Sequence, residues 1–504
     1  MFKKINKTLH TPTWLFVLLS LVMILRIPTF FEPYAYGDEM IYLSLGEAIR
    51  QKIPLYKGIH DNKPPLLYIL AAIAGSLFWF RATLAIWHLA TIYIFWKLST
   101  VLFEKRIKKT RRLRLQQVST AIFALLTTLP LFEGNIANSE LFMIGPIMLA
   151  FYILLAKKLN LKNLLSAGAL FSIATLFKMP AAFDIPAIIL YWLATEKLNK
   201  KNIKKISLNT VYLSIGFLIP ILFTAVYYFL RGALFEYLVA AFLQNVGYLS
   251  SWRPSDVEKS FLARNLPLLT RAFIAFLIAA VVYWRRKKLS KRFIFLTLWL
   301  TMTLFAVTLS ERPYPHYLVQ SLPAVSYLIA ILLLAKSLEQ SLVILPLTLF
   351  FIVPVYFNFW RYYSLPYYAN FYRFATGKIS KEQYFSKFGK NVNKNYKIAE
   401  TAIDLTNRRD KIFVWGDNSS IYALSRRLPP IKYVADYHIR DFSSYTEVYN
   451  QLSQNMPKLI IVHLDSPSFP QLTYLIRENY ILVENIEGST VWRLLNSDVR
   501  ALFK

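Results

Sequence analysis

From residue 12 to about residue 359, apolar residues run in near-continuous stretches separated by short polar intervals. Stretches of about 18–22 residues are long enough to cross the hydrocarbon core of a bilayer. They predict hydrophobic helices at 12–31, 64–80, 82–103, 117–132, 140–156, 163–178, 180–195, 207–230, 264–284, 293–309, 317–335 and 341–359, about 11–12 in all. A soluble helical core does not need so many uninterrupted apolar runs. The pattern therefore defines a polytopic α-helical membrane protein.

The polar intervals carry a second pattern. Basic residues fall in short blocks: Lys105-Arg106 with Arg111-Arg112-Arg114, Lys157-Lys158, Lys197 to Lys205, and Arg285 to Arg292. Such blocks stay on the cytoplasmic side of a membrane. With the basic N-terminus inside, all of them fall inside only if one of the segments 64–80 and 82–103 does not fully cross. The expectation is that 64–80 is re-entrant or interfacial, which leaves about eleven crossings and an outside C-terminus. The outer connections are then 32–63, 133–139, the turn at Lys178, 231–263 and 310–316. The stretch 231–263, with Phe235, Tyr237, Phe242, Tyr248 and Trp252, is aromatic and amphipathic, and predicts an aromatic belt in the outer headgroup layer.

Beyond the last apolar run the pattern changes. Residues 1–359 read as the membrane domain, with 32–63 as its first extracytoplasmic loop. Residues 360–395 read as an aromatic, basic linker and 396–504 as a soluble domain. Strands are predicted at Lys411–Trp415, Ile431–Ala435 and Lys458–His463, with helices at about 418–427, 441–454 and 468–478. A terminal hairpin pairs 480–485 with 489–494. Alternating strand and helix predicts a small α/β domain with a parallel sheet. Gly416-Asp417 after its first strand is too little for a dinucleotide fingerprint, and the domain reads as structural or partner-docking.

Composition agrees with the membrane reading: 17% of the 504 residues are charged, against roughly 25% in soluble domains. The formal net charge of +31 would suggest nucleic acid in a soluble protein. Sorted into loops, it indicates attraction to anionic membrane lipids instead, and nucleic acid is excluded as a partner. The absence of cysteine excludes disulfides, thiolate metal sites and cysteine nucleophiles.

Candidate chemistry gathers in the outer connections. Asp38 and Glu39 follow the first helix, and one of them could act as general base on an acceptor hydroxyl while its neighbour orients the acceptor or holds a cation. Lys63 follows Asp61 and precedes Pro64-Pro65, which restrict the chain and fix an ammonium suited to a phosphate. Glu140 opens the helix after a second acidic turn, where Asn138 or Ser139 could equally be a cap. Lys178 stands alone, with no basic companions, on the expected outer face; phosphate binding accounts for it. Arg312 could hold a phosphate bidentately, and His316 could donate to one or bind a metal.

At these residues the chain resembles the GT-C superfamily of membrane glycosyltransferases, in the ArnT-like and protein-O-mannosyltransferase-like branch that uses polyprenyl-phosphate sugars. The segment Asn62-Lys63-Pro64-Pro65-Leu66-Leu67-Tyr68 looks like the family's D-K-P-P-L-x-Y-W, with Asn62 in place of Asp. Ala137-Asn138-Ser139-Glu140-Leu141 looks like its second acidic helix start. Thr175 to Pro180 is similar to its T-K-G-P turn, with Met179 in place of Gly, and His316 to Ala324 looks like its Y-L-L-P-L-L-P-A run. The likeness covers roughly residues 12–335. It implies an extracytoplasmic site that moves a sugar from a polyprenyl-phosphate donor by a single inverting displacement, with Asp38 as base. Lys63, Lys178, Arg312 and His316 would hold the donor phosphate, and Glu39 would complete the catalytic pair with Asp38 by positioning the acceptor. Asp61, Glu140 and Tyr68 would position the acceptor or support the groups that do. The acceptor is left open between lipid, protein and glycan, and a divalent metal is possible. The alternative from the residues alone is a transporter or flippase of lipid-linked saccharides. It calls for charges near the midplane and internal repeats, and neither is evident.

Overall fold

The computed structural model describes residues 11–103, 107–247 and 260–495. Lys105, Arg106, Tyr248 and Trp252, from the predicted basic block and aromatic belt, lie outside the described residues.

Among the described residues, eight helices are long and apolar enough to cross a membrane: Thr13–Phe30, Leu77–Leu102, Ser139–Ala156, Lys200–Leu230, Phe261–Arg285, Lys291–Thr308, Pro315–Leu334 and Leu338–Tyr356. The chain is a multi-pass membrane protein. Three further predicted segments form helices that are shorter or more polar: Lys109–Leu126, Leu161–Phe177 and Ile185–Thr195, the last preceded by a 3-10 turn Met179–Asp184. The twelfth segment, 64–80, breaks. Its helix Leu66–Ala74 ends where Gly75 takes a left-handed φ of 68°, and Ser76 caps the next helix by accepting from the Trp79 N–H. Nine residues at about 1.5 Å each give roughly 14 Å, half a hydrocarbon core.

The polar intervals between helices also supply their starts. Asn160, Asn199, Ser260 and Ser290 each accept from the backbone N–H three residues on, which satisfies one of the donors a helix start leaves open. Helices Leu161–Phe177 and Lys200–Leu230 approach through Gly168 and Gly216. A Cβ on either would collide with backbone of the other helix, a close crossing that small residues permit between membrane helices. Lys200–Leu230 and Phe261–Arg285 leave large apolar side chains such as Phe223, Leu230, Phe273 and Phe276 exposed, a surface suited to lipid.

The segment 231–263 is helical where described, over Leu234–Leu238, Val239–Leu243 and Gln244–Gly247. Phe235 is exposed, but Tyr237 is buried, stacked on Tyr228 and packed against Tyr56 of the first loop. The described part of this stretch closes over the loop.

Residues 360–395, expected as a linker, are instead folded onto the bundle. Helices Ser364–Ala375 and Lys381–Phe385 bury Tyr384 against Phe374. The Tyr367 hydroxyl donates to Glu32 at 2.5 Å, and that of Tyr368 to the Leu25 carbonyl at 3.0 Å. Tyr367 and Phe371 of this stretch pack at the start of the first loop, while Tyr363 and Tyr372 stay exposed.

The C-terminal region holds a four-stranded sheet in the order β1-β2-β4-β3, with β1 Ile412–Trp415, β2 Leu459–Val462, β3 Tyr480–Ile486 and β4 Ser489–Leu494. Only β1 and β2 are parallel; β4 runs antiparallel to both neighbours, so the sheet is mixed rather than parallel as expected. The tight hairpin forces β3 and β4 antiparallel, and β4, not β3, takes the open edge of β2. The predicted strand Ile431–Ala435 does not form. Leu428 bridges Lys411, and then Pro429-Pro430, which lack N–H donors, end the ladder. The chain turns away, and the Lys432 carbonyl accepts from the His60 N–H at 2.7 Å. Alternate strand positions face opposite sides. Ile412, Val414, Leu459 and Ile461 join the core that runs through the bundle, while Phe413, Trp415 and Ile460 build a second core with Val448, Leu452 and Leu472.

Candidate active site

The predicted outer connections converge on one cavity of about 1680 Å3. Its wall includes Asp38 and Tyr42, Asp61 to Pro64, Ser139 and Glu140, Lys178 to Pro180, Asn245, and Ser310 to His316 in part. Apolar residues Met143, Phe183, Leu268, Leu269 and Phe305 line another part. The cavity thus joins a charged end to an apolar flank.

Asp38 is the second residue of helix Gly37–Arg50. One turn on, the Tyr42 hydroxyl donates to its Oδ2 at 2.8 Å. Lys63 Nζ lies 3.8 Å from Asp38 and 3.7 Å from Asp61, and over the Tyr42 ring at 5.1 Å. The backbone around Lys63 is fixed from both sides. Its carbonyl accepts from Tyr56 at 2.8 Å, and its N–H donates to the Tyr68 oxygen at 3.2 Å. Tyr68 donates in turn to Asp61 at 2.7 Å. Pro64-Pro65 therefore hold the lysine together with two tyrosines rather than alone. Tyr68 does not itself line the cavity; it supports those that do.

Burial opposes the charged forms of Asp38 and Asp61, but the Lys63 ammonium, with His316 beside Asp38 and His438 beside Asp61, more than offsets it. Both carboxyls stay below their ordinary range and are ionised at neutral pH. Burial and the Asp38 charge push the Tyr42 hydroxyl well up, so it remains a donor. Openness separates the carboxylates. Asp38 is 31% exposed, while Asp61 is 1% and Glu140 2%.

The second half of the site is built on Glu140. Lys178 pairs with it and sits 3.8 Å above the Tyr317 ring. His316 lies between two carboxylates, its Nδ1 2.5 Å from Glu133 and its Nε2 3.8 Å from Glu140. With both nitrogens facing carboxylates, His316 is not turned to hold an anion, and this corrects its expected role as a phosphate ligand. Arg312 is exposed and lines the cavity.

Glu39 requires the larger correction. It is fully buried, receives Arg81 Nη2 at 2.6 Å and Nε at 3.0 Å, and accepts the Ala137 N–H at 2.8 Å. Arg81 also reaches Glu32 at 2.9 Å. Glu39 does not line the cavity; Arg81 holds it as a buried structural anion.

Two sets of residues were missed. Glu133, noted only as part of an acidic turn, is a hub: its Oε2 receives Tyr36 at 2.6 Å and Asn138 at 3.0 Å besides His316. The second set comes from the C-terminal region, where Asn395, Asp417, Asn418, His438, Arg440 and Asp441 line the same cavity. The Ser419 hydroxyl donates to the Gly37 carbonyl at 3.2 Å, and His438 Nε2 lies 3.5 Å from Asp61. No local motif announces these contacts; the polar run Asp436 to Asp441 is their one trace in the sequence. Among the described residues, no three His, Asp or Glu side chains are grouped to hold a metal ion. Asp38 and Asp61 share Lys63, and Glu140 pairs with Lys178, so these three carboxylates are already matched by ammonium groups and do not fit a metal.

This arrangement of helices and loops is a GT-C-like fold. The chain is similar to ArnT from Cupriavidus metallidurans bound to undecaprenyl phosphate, with a TM-score of 0.53 and 11% identity over 96% of this chain and 98% of that one. The apo state of the same enzyme matches with a TM-score of 0.51 and 11% identity, over 95% and 97%. No family model and no curated protein matches the chain.

Proposed function

We propose that this protein is an integral-membrane glycosyltransferase that moves a sugar from a polyprenyl-phosphate donor to an extracytoplasmic acceptor. The observation that carries the reading is the open carboxylate of Asp38 beside the fixed ammonium of Lys63, in a cavity that also presents Lys178 and Arg312 and continues into an apolar flank. A phosphate fits the cations and a prenyl chain fits the flank. The likeness to a structure bound to undecaprenyl phosphate supports the same donor class. The basic blocks between helices favour placing the cavity on the outer side.

In this reading the acceptor hydroxyl gives its proton to Asp38 as its oxygen attacks the anomeric carbon. The bond from that carbon to the phosphate oxygen breaks, and the lipid phosphate leaves with the electron pair. One displacement inverts the anomeric configuration. The leaving group needs no proton, only charge stabilisation, which Lys63, Lys178 and Arg312 supply. Asp61 and Glu140 keep the two lysines in place, and Tyr68 keeps Asp61.

The test is to incubate purified protein with a panel of polyprenyl-phosphate sugars and follow release of polyprenyl phosphate. Release that disappears in Asp38→Asn, with donor binding kept, is expected. No release from any donor, together with lipid translocation in vesicles, would replace the reading with a transporter.

A further inference from the structure

Asp61 is 1% exposed, and its partners are local with one exception. Its Oδ2 accepts from Tyr68 at 2.7 Å, and its Oδ1 accepts from the Asn62 N–H at 2.7 Å. The exception is His438, whose Nε2 faces Oδ1 at 3.5 Å. This imidazole sits on the helix Asp436–Phe442, is 3% exposed, and is packed among Tyr437, Phe442 and His60. Its Nδ1 has no hydrogen-bond partner. A neutral imidazole carries one proton, and the nitrogen that faces a carboxylate is the one that gains from holding it. The Nε2–H tautomer, donating to Asp61, follows.

The same C-terminal region grips the first loop on both sides of the reacting groups. The Ser419 hydroxyl holds the carbonyl of Gly37, next to Asp38, and the Lys432 carbonyl holds the N–H of His60, next to Asp61. Farther out, Arg408 meets Glu47 at 3.0 Å. The part of the site that carries Asp38 and Lys63 is therefore clamped by a segment that lies far along the chain.

We propose that His438 is a positioning residue for Lys63, acting through Asp61, so that the C-terminal α/β region completes the phosphate-binding end of the site. The proposal rests on the glycosyl-transfer reading for its substrate, not for its geometry. A phosphate arriving at Lys63 competes with Asp38 and Asp61 for the ammonium. Each donor that Asp61 receives from elsewhere lowers its hold on Lys63. With Tyr68, Asn62 and His438 all donating, the lysine can turn to a ligand. Without His438, the carboxylate draws Lys63 closer, and the ligand binds more weakly.

The experiment compares full-length wild type with His438→Leu, His438→Gln and His438→Asn. One readout is affinity for polyprenyl phosphate alone. The other is the rate at which Lys63 is acylated by a small amine-reactive ester, read by peptide mass spectrometry. His438→Leu should weaken lipid-phosphate binding about tenfold, the worth of one hydrogen bond to a charged group, and slow Lys63 acylation. His438→Gln, whose amide N–H reaches about as far as Nε2, should restore both; His438→Asn, one carbon shorter, should not. Should His438→Leu fail to fold, the contrast between Gln and Asn decides. Wild-type affinity and acylation in His438→Leu, or equal losses in Gln and Asn, would overturn the proposal. If the wild type turned over no donor while the acylation pattern held, the transfer reading would fall and the positioning role would stand.

Discussion

Asp38 and Glu39 are adjacent in the chain, yet the helix they open turns Asp38 to the cavity and delivers Glu39 to Arg81, which binds it at 2.6 and 3.0 Å. The pair thus divides between the cavity and the buried framework. Asp38→Asn should lower transfer by roughly 10^2 to 10^4-fold, the range for loss of a general base, with no change in thermal unfolding. Glu39→Gln should cost about 3 kcal/mol of stability by leaving Arg81 short of a buried partner, and should appear as an earlier unfolding transition in detergent. Equal losses of activity at unchanged stability would show that both carboxylates act in the reaction.

Lys63 and Lys178 approach the cavity from different connections, each matched to a carboxylate. Replacing either with Met should weaken binding of polyprenyl phosphate by roughly 30-fold, about 2 kcal/mol for a charge-assisted contact. In Lys63→Met, Asp38 and Asp61 lose their shared cation but keep their tyrosine donors. In Lys178→Met, Glu140 likewise loses its lysine and keeps the Ser139 hydroxyl. Equilibrium binding of radiolabelled lipid phosphate checks both, and unchanged affinity in Lys63→Met would remove that lysine from the donor site.

Glu133 joins three elements through one oxygen: Tyr36 ahead of Asp38, Asn138 ahead of Glu140, and His316. It holds a left-handed φ of 55°, a conformation uncommon for a residue with a Cβ. Glu133→Gln keeps the shape and one acceptor oxygen but removes the charge that strengthens all three contacts. Steady-state kinetics should show transfer lowered at least about tenfold, consistent with charge-assisted bonds weakened to neutral ones. Full activity in this variant would make the hub dispensable.

How far the sequence carried can be judged residue by residue. The apolar runs located the bundle, because a membrane helix must be apolar along its whole length. That 64–80 is not one long helix agrees with the charge pattern, and Gly75 marks the break. Lys63, Lys178 and Glu140 were legible as charges out of keeping with their surroundings. Glu39 was misread because adjacency in sequence says nothing about which way a helix turns each side chain, and Arg81 sits inside an apolar run. The strand at Ile431 was misread because its β-branched pattern is real, but two prolines and the contact with His60 override it. Glu133, Ser419 and His438 were out of reach, since they join parts of the chain that only the tertiary fold brings together.

The docking of the C-terminal region should depend on acid in a defined direction. Burial holds His60 down at about 4, with the Asp61 charge pulling the other way. His463, whose Nδ1 lies 3.0 Å from the Ser489 hydroxyl, is likewise held at about 4 by burial. Each is neutral in the folded protein at pH 6, while the unfolded chain takes up a proton near pH 6.5. Below that point the unfolded state binds more protons, so stability falls as pH drops from 6.5 to 4 and levels off beneath it. For His60 the lowering from 6.5 to about 4 corresponds to on the order of 3 kcal/mol. Protease susceptibility of residues 396–495 in detergent should therefore rise over that interval. His60→Gln, which keeps bulk and cannot take the proton, should flatten the rise by about the share of one histidine. A pH profile of cleavage identical in wild type and His60→Gln would mean that His60 is not what couples docking to acid.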